Sequence, residues 1–150
     1  MRLAILYLHV LAVVVWIGGL AWQTHVALPA ARRGAVATFA DAARRARRVT
    51  WTAIAVVVLS GFYNVTQLGD LENVMKSGAG LMLAGKFILV ILAVALSGQR
   101  DFAQVTILNA TLAANGDPTG PLRSITRLDR VVLLLGLIVI YLGLAISRTH

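Results

Sequence analysis

The sequence predicts an all-α integral membrane protein, a four-helix bundle of four spans with both termini on the extracytoplasmic side. Three observations predict it. Four long apolar stretches fill most of a chain of 150 residues, and a bilayer core demands roughly 20 apolar residues per helix. The composition is 59% hydrophobic and 13% charged, whereas an average soluble domain is roughly 25% charged. The arginines gather beside the stretches, on one side of the membrane that these would cross.

The first stretch, Leu3 to Ala31, carries no full charge. Ala27-Leu28-Pro29-Ala30 loosely resembles a signal-peptide cleavage site. The apolar run is far longer than a signal core of roughly 7–15 residues, so it reads as a retained first helix. The next segment, Ala31 to Arg48, is rich in Ala and Arg without a breaker after Gly34. It is expected to extend the second helix into the headgroup region, where its arginines meet anionic lipid. The second stretch is Val49 to Gly69, followed by a short polar outer connection around Gly69 to Gly80. The third, Ser77 to Gln99, is interrupted only by Lys86, and its helix is expected to continue through Asp101 to Ala114. Asn115 to Pro121 then marks a break, with Thr119 or Ser124 as the cap of the fourth helix and Pro121 near its first turn. The fourth stretch is Val131 to Ser147. The chain reads as one domain over residues 1–150.

Orientation follows from Lys and Arg. One side receives Arg32, Arg33, Arg44, Arg45, Arg47, Arg48, Arg100, Arg123, Arg127 and Arg130; the other has only Arg2, Lys76 and Arg148. The arginine-rich side is cytoplasmic by the positive-inside rule, which makes the protein a multi-pass protein of a bacterial inner membrane. The same placement accounts for the net charge of +8 without nucleic acid. With no cysteine, disulfides, iron–sulfur clusters and thiolate metal sites are excluded.

Ionisable groups inside a span are expensive and point to function. His9 lies roughly 10 Å below the outer surface and Lys86 roughly 9 Å, from the 1.5 Å rise of a helix. Asn64 and Tyr141 fall within about 6–10 Å of the outer ends of their helices by the same measure. Each span thus delivers one polar group to the outer half of the bundle. Seven-residue spacing sets Trp16 and Gln23 on the stripe of His9. His25 lies far around the helix, near the cytoplasmic end. Neutral imidazole is a haem ligand, and burial brings a neutral lysine within reach. Glycines 18, 19 and 61 permit close helix approach or leave room for a flat ligand.

Leu8-His9 followed by Trp16-Ile17-Gly18-Gly19-Leu20 resembles the first helix of the CopD/HemJ-like membrane proteins. Ser60-Gly61-Phe62-Tyr63-Asn64 is similar to the end of the second CopD helix, and Leu83-Ala84-Gly85-Lys86-Phe87 resembles the third-helix lysine motif. The resemblance implies copper resistance or uptake on the CopD side. On the HemJ side it implies protoporphyrinogen oxidation with haem at the positions of His9 and Lys86. His25, Ala30 and Ser97 stand where the HemJ pattern has arginine, histidine and histidine, which moves the chain towards stand-alone CopD domains.

Three functions follow as expectations. The first is a haem-b redox or electron-transfer protein holding porphyrin in the outer half, with an electron partner that no motif names. His9 is its metal ligand, and Lys86, Trp16, Asn64, Tyr141 and His25 are further candidate cofactor residues. The alternative is copper transport, although Cu(I) favours thiolate and thioether ligands and the methionines are Met1, Met75 and Met82 alone. The third is a structural accessory subunit. Besides the lipid membrane, a homodimer is an expected partner arrangement.

Overall fold

A computed structural model describes residues 1–67 and 78–147. They are almost wholly helical, with no strand among the described residues. Three helical stretches are long and apolar enough to cross a membrane: Arg2–Thr66, Gly80–Ala113 and Thr119–Ala145. The first is not straight. Gly34 takes φ 118°, a conformation closed to most L side chains, and there the chain folds back on itself. The expected outer connection lies mostly outside the described residues, as do Met75, Lys76 and Arg148.

Helix α1 spans Arg2–Trp22 and runs on through a wide π-type turn, Gln23–Ala27. The wide turn has a local cause. Pro29 lacks an N–H and its ring crowds the carbonyl four residues back, and the ladder shifts so that the Leu28 N–H reaches the Gln23 carbonyl. After Gly34, α2 covers Val36–Thr66, so the Arg-rich segment does extend the second helix. Helix α3, Gly78–Gly98, passes through a second π-type turn, Gln99–Gln104, into α4, Val105–Ala113. The break falls where expected, and α5 is Thr119–Ser147. Its start differs from expectation in the cap. Asp117 Oδ1 accepts from the Thr119 N–H at 3.0 Å and the Thr119 hydroxyl at 2.6 Å, bonds that hold its carboxyl below the usual carboxylate range. Thr119 is a donor to the cap rather than the cap.

Cross-helix contacts fix the packing. His9 meets Ser60 and Arg2 meets the Gln67 carbonyl, so α1 and α2 are antiparallel. Phe62 stacks on Phe87 and Trp51 on Phe102, which sets α2 against the α3–α4 rod. Arg100 pairs with Asp129, and Thr24 faces Asp129, placing α5 antiparallel to both α3 and α1. Four rods thus alternate in direction around a common core.

The core is layered. The central layer comprises Ala12, Trp16, Leu20, Ala53, Ile54, Val57, Ala93, Val132 and Leu135. A second apolar layer, at the arginine-rich end, is built from Leu28, Phe39, Ala43, Val105, Leu108, Leu122 and Ile125 with their neighbours. Outside, Leu3, Tyr7, Leu59, Phe62, Leu81, Ile91, Leu137 and Leu144 are exposed. Apolar residues outward and charges sealed inward is the arrangement that hydrocarbon solvent selects. The protein is a multi-pass membrane protein.

Candidate functional site

The site builds from Ser60 outward. In a helix, a serine hydroxyl readily bonds the carbonyl one turn back, and Ser60 Oγ donates to the Val56 carbonyl. Its proton committed, Oγ is left as an acceptor, and His9 Nδ1 stands 2.8 Å away. Nδ1 therefore carries the imidazole proton and donates, which leaves Nε2 with a bare lone pair. Gly61 borders the ring: a Cβ there would make ordinary van der Waals contact with His9 Cε1, at 3.5 Å.

Lys86 comes from α3 and is half-buried. Its Nζ packs against Gly143 of α5, where an added Cβ would stand 3.1 Å away. His9 and Lys86 are each half-buried, on α1 and α3, His9 against Ser60 and Lys86 against Gly143. Trp16 is on the same stripe but deeper, a buried wall of the central core. Asn64 is half-buried one turn beyond Ser60. Tyr141 is 71% exposed and is not brought to His9; it faces the lipid side. His25 is exposed at the other end, its Nδ1 donating to the Ala21 carbonyl at 2.9 Å.

This geometry gives haem no support. A porphyrin needs a cleft beside its axial ligand, and the ring of His9 is instead backed by Ser60 and Gly61. Two cavities among the described residues lie elsewhere. One, of about 360 Å³, opens outward between α1 and α2 among Leu8, Leu11, Val49 and Val56. The other, of about 500 Å³, lies at the arginine-rich end beside Arg32, Gly34 and Arg123. Neither is lined by His9 or Lys86.

Between the two apolar layers lies a polar layer that sequence reasoning missed. Arg100 is its hub: Nε donates to Asp129 Oδ1 at 3.0 Å, Nη1 to Asp101 Oδ1 at 2.6 Å and Nη2 to Gln23 Oε1 at 2.5 Å. Trp51 Nε1 donates to Asp101 Oδ2 at 3.1 Å, and Arg47 Nη2 to the Asp101 carbonyl at 2.5 Å. Thr24 Oγ1 donates to the Leu20 carbonyl at 2.8 Å and stands 3.4 Å from Asp129 Oδ2. Arg100 is 4% exposed, and Asp101 and Asp129 are each 1% exposed. Gln23–Ala27 and Gln99–Gln104 are both π-type turns, a rare feature that recurs at functional sites. Read one residue at a time, Arg100, Asp101 and Asp129 look like connection charges. The available signal was acidic scarcity: the chain has only six Asp and Glu, and two of them sit at the arginine-rich ends of apolar stretches.

The family follows from comparison with known proteins. The model of copper resistance protein D, CopD, matches residues 40–146. The chain belongs to the CopD family. The match covers well over half of it and includes Ser60, Lys86, Arg100, Asp101 and Asp129, whereas His9 precedes the matched segment. No curated protein and no solved structure matches this chain. Membership makes it a membrane protein of the copper-resistance type, and favours the copper alternative over haem. Among the described residues, no group of three or more His, Cys, Asp or Glu gathers as a metal site. Met82 is no soft partner to His9, being 52% exposed on the outer surface of α3.

Proposed function

We propose that this CopD-family protein passes copper through the extracytoplasmic half of the membrane, with His9 Nε2 as the contacting nitrogen. Imidazole suits copper, and a histidine that donates its other ring N–H to a protein acceptor has the arrangement usual in metal-binding imidazoles. The observation that carries the reading is the Ser60–His9 hydrogen bond, which points the free lone pair away from Ser60. Lys86 selects for charge. Coulomb repulsion scales with the charge of the incoming ion, so a lysine ammonium nearby disfavours Cu(II) about twice as much as Cu(I). One nitrogen ligand also holds copper loosely, and a conducting site must release what it binds. In this reading all four rods cross the inner membrane, with both termini outward, because the arginines mark the cytoplasmic side.

The test is anaerobic Cu(I) titration of the detergent-purified protein against a chromogenic competitor. His9→Ala is expected to abolish binding. Ser60→Ala is expected to weaken it about 10- to 100-fold, the usual cost of removing such a supporting partner. Equal affinity in wild type and His9→Ala defeats the proposal.

A further inference from the structure

The polar layer at the inner end does no work in the copper reading, yet it is the most deeply buried set of charges in the molecule. Its ion pairing is uneven. Two carboxylates, Asp101 and Asp129, share the single guanidinium of Arg100. Arg47, from α2, reaches the Asp101 backbone carbonyl and lies over the Phe102 ring at 5.0 Å, rather than pairing with either carboxylate. Arg32, from the chain beyond α1, is engaged one turn away with the Thr126 hydroxyl at 2.8 Å. By direct pairing, two carboxylates thus draw on one guanidinium in a site between apolar layers above and below.

The hydrogen bonds show where the shortfall lies. Asp101 is well supplied: Oδ1 receives Arg100 and Oδ2 receives Trp51. Asp129 receives Arg100 on Oδ1, and its Oδ2 has only Thr24, 3.4 Å away. A hydroxyl has one proton, and that of Thr24 is taken by the Leu20 carbonyl at 2.8 Å. Asp129 Oδ2 and Thr24 Oγ1 therefore face each other as two acceptors with no hydrogen between them. A buried acceptor left this way is costly, more so when charged.

We propose that Asp129 is a proton-binding site, the proton residing on Oδ2 and donating to Thr24 Oγ1. Taking up one proton completes a chain from Asp129 O–H to Thr24 O–H to the Leu20 carbonyl. It also leaves Arg100 and Asp101 as a balanced pair, with Gln23 on the third arm of the guanidinium. The exchange is simple: a proton adds to the carboxylate oxygen or leaves it for water, with no electron transferred. All four rods meet in this layer, so the proton's arrival and departure change how α1, α3 and α5 are tied together at their cytoplasmic ends. The proposal goes beyond the copper reading and does not rest on it.

Infrared spectroscopy of the purified protein in lipid at neutral pH tests it. The expected signal is the C=O stretch of a protonated carboxylic acid, shifted in D2O, present in wild type and Asp101→Asn and lost in Asp129→Asn. Asp129→Asn is expected to fold, because its amide N–H donates where the acid O–H did. Should it not fold, Thr24→Val removes the acceptor and must move the band. No such band in wild type, a band lost in Asp101→Asn instead, or one indifferent to both Asp129→Asn and Thr24→Val overturns the proposal. Copper affinity is not read, so failure here leaves the role of His9 standing.

Discussion

Ser60 shows how much chemistry one hydroxyl sets. It donates to its own helix and accepts from His9, and the ring tautomer follows from these two facts. The histidine and lysine were legible because a charge within an apolar run is conspicuous. Ser60 was not, because serine is cheap in a membrane helix and reveals its partner only once α1 and α2 are set face to face. Arg100 was hidden for the opposite reason. It ends an apolar run, where an arginine ordinarily meets lipid headgroups, and only the packing of α5 turns it inward. Removing it strands the Asp101 carboxylate and takes a donor from Asp129 and Gln23. Arg100→Met is therefore expected to destabilise the protein by about 3–5 kcal/mol, the range for breaking a buried ion pair from one side, measured as a fall in reversible unfolding free energy in mixed micelles. Adding Asp101→Asn to that variant is expected to recover part of the loss, since the charge it orphaned is gone.

At the scale of elements, the helices were readable and their joints were not. Hydropathy located the apolar stretches, and the breakers at Gly34 and at Asn115 to Pro121 located the turns. The π-type turns at Gln23–Ala27 and Gln99–Gln104 carry no such signature. Pro29 explains the first after the fact, and the second has no proline within it. These turns matter because each adds a residue to the helical circuit, and thereby aims Gln23 and Arg100 at each other across the bundle. Gly34 is the joint on which α1 and α2 depend. Its φ of 118° is strained for any side chain although there is open space for a Cβ. Gly34→Ala is expected to cost about 1–3 kcal/mol through backbone strain alone, seen as a lower unfolding midpoint with copper affinity unchanged. A loss of copper affinity instead would tie the joint to the site.

For the whole molecule, the order of layers along the bundle is the organising fact. The His9–Lys86 site occupies the end where α1 begins, then comes the central apolar core, then the Arg100 layer, then a second apolar core beneath the arginines. The polar layer lies about 32 Å along α1 from Arg2, from the helical rise. That distance matches the thickness of the hydrocarbon core, and the exposed rings of Trp22 and Phe102 stand at the same level, where interfacial aromatics belong. The account therefore places Leu3 and Arg45 in opposite aqueous boundaries. Since the chain has no native cysteine, single cysteines at these positions report directly. In intact spheroplasts an impermeant maleimide is expected to label Leu3→Cys and spare Arg45→Cys; the reverse pattern would invert the topology.

The central claim concerns one nitrogen atom, and nitrogen NMR reads it. With ¹⁵N-histidine incorporated, the three histidines give separate ring signals, and His9→Ala assigns the one in question. The account predicts a neutral His9 ring protonated at Nδ1, and a Cu(I)-induced shift confined to its Nε2. A shift at Nδ1, or at His25 or His150 with His9 unmoved, would contradict it.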